Sequence, residues 1–133
     1  MGYPVVGANF INDAVLRGST WYVGLILATP SLASGDTMGS HAGWTESSDY
    51  AEAARPTLAP PVSSGGATAC PPLTFTMNNS VRIAGYFITS VSTKGGTTGT
   101  LLVTKLFAEG EKNLITGQPL VITPSQVVQD LTV

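Results

Sequence analysis

Apolar positions along this chain fall into short runs divided by glycine, proline and small polar residues. The run Thr20 to Thr29, TWYVGLILAT, is apolar on both faces and rich in aromatic and branched side chains. It predicts a central strand covered on both sides and ended by Pro30. At Leu73 to Met77 the period is two, with Leu73, Phe75 and Met77 alternating with Thr74 and Thr76. Residues 81–93, VRIAGYFITSVST, predict a long strand bent near Gly85. Lys94-Gly95-Gly96 and Gly99 mark a hairpin loop, and Thr100 to Phe107 is its returning strand. Gly110 and Gly117 bracket a turn region, after which Pro119 to Thr123 and Gln126 to Val133 predict two final strands. Pro60-Pro61 makes Thr57 to Ser64 an edge strand or none at all.

Residues 9–18, NFINDAVLRG, predict the one helix. Asn9 is its expected cap, Phe10, Ala14 and Val15 form one face, and Gly18 suits a left-handed position past the end. Two turns cannot stand alone and must dock. About seven short strands, glycine-rich turns and one early helix predict an all-β fold. The expected architecture is a single domain over residues 1–133, an antiparallel β-sandwich of jelly-roll-like kind. No internal repeat is visible, and no linker divides the chain.

Between the first two strong strands lies Asp36 to Pro56, which follows neither period. Gly39, Gly43, Ser47, Ser48 and Pro56 interrupt it, yet it holds the only histidine, His41, and one of two tryptophans, Trp44. Met38, Trp44 and Tyr50 argue against disorder. The segment is expected to be a long, ordered, irregular loop that crosses the domain surface and carries specific contacts.

Charge changes this picture more than hydrophobicity does. Charged residues make up 11% of the chain, less than half the usual share of about 25%. So sparse a charge fits either a small turn-rich β-protein or a protein packed against copies of itself or a partner. A net charge of −2 with six scattered basic residues gives no nucleic-acid footprint. Cys70 is the only cysteine, so no internal disulfide can form. The start MGYPVVGANF lacks the basic residues of a secretory signal, and Trp21 to Ala28 is too short to span a bilayer. Synthesis as a soluble protein in a host cytoplasm, with no membrane partner, is the expectation.

Candidate chemistry is thin. Ser40 and His41 are adjacent, so their side chains point apart in an extended segment. Asp36, His41 and Glu46 match no metal-ligand spacing. His41 is expected to bond loop backbone. Cys70 has no neighbouring base or cation to activate it. The run Lys94 to Gly99 lacks the Gly-Lys-Ser/Thr ending of a phosphate loop and precedes a strand. Glu109 and Glu111 read as solvated turn residues. No catalytic residue, cofactor or metal site is expected, and the chain does not read as an enzyme. The constellation that stands out is Trp44, Glu46, Tyr50 and Arg55: either a clamp pinning the loop, or an interface in which aromatics and arginine anchor a partner.

The order of these features resembles a family of small tailed-bacteriophage virion proteins. The resemblance rests on Asn12 to Arg17, Tyr22-Val23-Gly24-Leu25, Thr29-Pro30, Gly43-Trp44-Thr45-Glu46, and Tyr50 with Arg55. Ile83-Ala84-Gly85-Tyr86-Phe87-Ile88 and Gly95-Gly96-Thr97-Thr98-Gly99 extend it over most of the chain. It implies a structural virion protein on a β-sandwich. The leading expectation is a capsid cement or decoration protein, a homo-oligomer that binds the outside of the major capsid protein shell and stabilises it. A tail or fibre component is the alternative. A carbohydrate-binding sandwich would show an exposed row of aromatics, which Trp21 and Tyr22 inside an apolar strand do not make.

Overall fold

Pro4 opens the helix. Its φ of −57° and missing N–H suit the position just ahead of a helix. In the computed structural model, which describes residues 3–127, α1 runs Val5–Leu16. The helix therefore starts five residues earlier than the cap signal at Asn9 predicts. The β-branched Val5 and Val6 and the flexible Gly7 hide that first turn from propensity. Asn9 is not a cap, for its Oδ1 accepts a hydrogen bond from the Gly66 N–H at 2.9 Å. The buried face is Ala8, Asn12 and Leu16 rather than Phe10, Ala14 and Val15, and Phe10 is 74% exposed. Gly18 does not adopt positive φ. A Cβ there would lie 2.3 Å from the Ala14 carbonyl oxygen, so the requirement for glycine is steric.

Nine strands follow among the described residues. They are β1 Tyr22–Leu27, β2 Glu46–Ser47, β3 Ala67–Ala69, β4 Leu73–Thr76 and β5 Val81–Thr89, then β6 Leu101–Leu106, β7 Lys112–Leu114, β8 Pro119–Ile122 and β9 Ser125–Val127. The protein is thus mostly antiparallel sheet with one short helix. The last part of the strand expected over Gln126 to Val133 lies outside the described residues. No described helix is long and apolar enough to cross a membrane.

The fold divides into two compact units. One takes residues 3–20, 58–73 and 121–127; the other takes 21–57 and 74–120. In the first, α1 is tied to the 63–66 turn by side chains. Asn12 Nδ2 donates to the Gly66 carbonyl at 2.9 Å, and the Ser63 N–H donates to Asp13 Oδ1 at 2.9 Å. Beside it, β3 pairs with β9. Elsewhere β4 pairs with β8.

The second unit holds the main sheet, in the order β2-β1-β5-β6, with β7 also paired to β5. β1 lies between β2 and β5, and Val23, Leu25 and Ile26 are fully buried, as the doubly apolar run predicts. Opposite Gly24 sits the ring of Phe87, which would be 2.3 Å from a Cβ, so this glycine makes room for the core. The irregularity near Gly85 is a register shift. Ile26 pairs with Gly85 and Leu27 with Ile83, leaving Ala84 as the extra residue of a bulge.

Two expectations are corrected here. The 36–56 segment is not wholly irregular, because Glu46 and Ser47 pair with Ile26 and Leu25 as β2. The region between Gly110 and Gly117 is not only turn, because it contains β7. Strands of two or three residues are too short to show a period, so neighbours rather than sequence define them.

Candidate functional site

β2 sets Glu46 opposite Ile26 and leaves its carboxylate at the edge of the sheet's core. Nine residues on, the Arg55 N–H donates to the Ser92 carbonyl at 2.8 Å, fixing the backbone from which the guanidinium reaches inward. Arg55 Nε donates to Glu46 Oε2 at 2.9 Å and Nη2 to Oε1 at 2.6 Å, a two-pronged ion pair. Its other N–H groups reach the Val91 carbonyl at 2.7 Å and the Gly96 carbonyl at 3.0 Å. The guanidinium carbon lies 5.2 Å from the centre of the Phe87 ring, and Arg55 is 2% exposed. Glu46 Oε1 also accepts from the Gly95 N–H at 3.0 Å. One buried pair thus joins β2, the residues before Pro56 and the tip of the β5–β6 hairpin.

Trp44 and Tyr50 take other hydrogen-bond and ring partners. Trp44 stacks on His41, with ring centres 3.8 Å apart, and packs against Phe87 in a cluster with Ile26 and Met38. Its indole N–H donates to Asp36 Oδ2 at 3.1 Å, and His41 Nδ1 lies 2.9 Å from the Trp44 carbonyl oxygen. Tyr50 is fully buried, edge-on to Phe75 at 5.0 Å. Above its ring, at 4.1 Å, sits the ammonium of Lys94, which donates to the Tyr50 and Glu52 carbonyls at 2.7 and 2.9 Å. Among the described residues the buried Tyr50 hydroxyl has no hydrogen-bond partner. Burial pushes its pKa well above the ordinary tyrosine range; the Glu46 carboxylate adds to the rise and Arg55 opposes it.

Of the four residues singled out from sequence, Glu46 and Arg55 therefore meet, while Trp44 and Tyr50 anchor the two ends of the same segment separately. All four side chains point inward. The segment does not skim the surface: it inserts Met38, Trp44, Tyr50 and Arg55 into the interior. Sequence reasoning missed Phe87, Lys94 and Asp36 as their partners. Lys94 stands 44 residues from Tyr50, and only hairpin closure brings it there. The Lys94 to Gly99 loop presents the Gly95 N–H to a carboxylate of its own chain.

Other chemical candidates are also engaged or inert. Cys70 is buried, and burial pushes its thiol pKa up, away from nucleophilic character. Glu111 is not simply solvated, for it pairs with Arg82 at 3.1 Å and accepts from the Thr29 N–H. Thr29 has a φ of +54°, unusual for a branched residue, and that bond helps to hold it. Among the described residues no group of three His, Cys, Asp or Glu is placed to hold a metal ion. An open depression of about 200 Å³ lies between Ala33, Asp36 and Leu101 to Thr104. Its one carboxylate already accepts from the Ala33 N–H and from Trp44.

No protein-family model matches the chain, and no curated protein and no solved structure matches it.

Proposed function

We propose that this protein is a structural component of a phage virion, a capsid cement protein held on the outer face of the major capsid protein shell. The observation that carries this reading is a surface poor in charge and dotted with large apolar side chains. Val6, Phe10, Val62, Ile115 and Val121 are each more than half exposed in a chain that is only 11% charged. Such a surface is best served by being covered, and a shell offers covering contacts to every copy. Each interface can be modest, because neighbouring copies and subunits add their contributions. The buried Arg55–Glu46 fork supports the reading from the inside, since it stiffens an irregular segment without spending surface charge. In this reading the β-ribbons pack as a jelly-roll-like sandwich, and the working location is the capsid surface.

Carbohydrate recognition is less well supported, because both tryptophans are buried and supply no exposed aromatic row. Quantitative densitometry of purified particles tests the proposal. A cement protein is expected in hundreds of copies, comparable with the major capsid protein. A handful to a few dozen copies, as closed rings at one vertex require, would move the protein to the tail or a fibre.

A further inference from the structure

Five asparagines lie along the chain, and one of them is folded against its own backbone. Asn79 sits in the bend between β4 and β5, exposed together with Asn78 and Ser80. Its Oδ1 accepts a hydrogen bond from the N–H of Ser80, the very next residue, at 3.0 Å. Asparagine side chains bond neighbouring backbone groups readily in such irregular stretches. The ring closed by this bond already contains every atom of a succinimide: Ser80 N, the Asn79 carbonyl carbon, Cα, Cβ and Cγ. Cγ is one bond away from the oxygen that Ser80 N touches. Nucleophile and electrophile are thus brought together before any reaction, and such positioning removes much of the entropic cost of joining them.

The other asparagines are held differently. Asn9 Oδ1 accepts from the Gly66 N–H at 2.9 Å and Asn12 Nδ2 donates to the Gly66 carbonyl at 2.9 Å, so both amides turn to a distant segment. Both also lie inside α1, where the following N–H belongs to the helix ladder. Asn113 is in β7, paired with Arg82, and the bulky Leu114 follows it. Asn78 is exposed, but its successor is the larger Asn79. Ser80 is the smallest residue to follow any of the five, so the approach to Asn79 is also the least hindered.

The geometry points to Asn79 as a self-modification site, at which the folded chain converts its own asparagine to aspartate or isoaspartate without an enzyme. Ser80 N gives its proton to hydroxide and attacks Asn79 Cγ. As the new C–N bond closes the ring, the bond from Cγ to Nδ2 breaks. Ammonia leaves with a proton taken from water, which regenerates the hydroxide. Water then opens the succinimide at either carbonyl. Opening at Cγ gives aspartate, and opening at the backbone carbonyl gives isoaspartate, whose main chain runs through Cβ and Cγ. A water is consumed, an ammonia is released, and nothing is oxidised or reduced. Either product adds a negative charge to a chain whose formal net charge is −2. Isoaspartate also lengthens the backbone between two fixed points. These are the Asn78 N–H, bonded to the Asp49 carbonyl at 3.2 Å, and Val81, paired with Leu114. The site stands on the geometry of this bend and does not depend on the capsid reading.

Incubation of the full chain in mildly alkaline buffer, followed by peptide mapping with mass spectrometry, tests it. The amide at position 79 should be lost about tenfold or more faster than that of any other asparagine. In urea the lead of Asn79 over Asn78 should narrow, because unfolding removes the contact and leaves only the difference between the residues that follow. Ser80→Val crowds the attacking nitrogen and should slow the loss about tenfold. Circular dichroism checks that this variant folds, and Ser80→Thr is the substitute if it does not. A chain that keeps its amides throughout overturns the proposal, and so does loss led by Asn78 or Asn113. A lead for Asn79 that is unchanged in urea, or a rate indifferent to bulk at position 80, overturns it equally.

Discussion

Residues 36–56 and helix α1 are both held by polar contacts that reach far along the chain, yet they sort their side chains in opposite ways. The first is irregular and polar in sequence, but it buries a tryptophan, a tyrosine, a methionine and an arginine. The second is regular and largely apolar, but it buries an asparagine at its centre and turns a valine and a phenylalanine to solvent. Polarity in sequence is therefore a poor guide to burial in this chain. What decides is whether each polar group finds a partner. Arg55 finds Glu46 and two carbonyls, and Asn12 finds the Gly66 carbonyl.

The sharpest way to break the comparison is Arg55→Ala. It strands Glu46 in the interior and frees the Val91 and Gly96 carbonyls, so a loss of about 3–5 kcal/mol is expected. Urea unfolding measures it, and a midpoint close to that of the parent chain would mean that the ion pair contributes no net stability. Arg55→Lys keeps the charge but loses the fork, and should fall between the two.

The corresponding change in the helix is Asn12→Ala. One amide to one carbonyl is a smaller stake, about 1–3 kcal/mol, because the orphaned Gly66 carbonyl carries no formal charge. Amide hydrogen exchange should show the loss in α1, with β1 and β5 remaining the slowest-exchanging elements. Equal acceleration throughout would mean that the helix anchor and the sheet open as one unit.

Smaller still is the effect at Tyr50. Its hydroxyl has no partner among the described residues, so Tyr50→Phe should leave stability within about 1 kcal/mol, or raise it. The parent chain should also be sensitive to alkali. The folded pKa is raised above the unfolded value of 10.0, so the folded state holds its proton longer. That stability is fully present below pH 10 and declines as pH rises beyond it. Cys70, raised by burial from 9.0, acts in the same direction from slightly lower pH. Thermal melts from pH 8 to 11 should fall at the alkaline end, and less steeply in Tyr50→Phe. Identical slopes would assign the whole effect elsewhere.

The sheet was legible where several residues repeat a pattern. β1, β4 and β5 follow from Thr20 to Thr29, Leu73 to Met77 and residues 81–93, and the hairpin into β6 follows from its glycines. β2 and β7 were not, because two or three residues carry no period and owe their state to Ile26 and Ile83 across the ladder. The helix was legible only in its second half. Pro4, not Asn9, starts it, and Asn9 is committed to a turn 57 residues away. In the candidate site, Glu46 with Arg55 could be read as the carboxylate and arginine of one segment. Phe87, Lys94 and the Val91 carbonyl could not, because β5 and its hairpin bring them in from far along the chain.

The Arg55 fork has a consequence in time as well as in energy. Its carbonyl partners are 36 and 41 residues away and become available only when the β5–β6 hairpin has closed. The fork is then among the last contacts made during folding, and its residues should show φ-values near zero. It acts as a seal on the finished molecule rather than as a seed. Arg55→Ala should leave the refolding limb of a chevron almost unchanged and speed unfolding by about a hundredfold to several thousandfold. A slowed refolding limb would place the fork in the nucleus instead. Wherever a protein must stay folded for long periods, slow opening matters more than fast folding, and a buried late-forming pair is one means of achieving it.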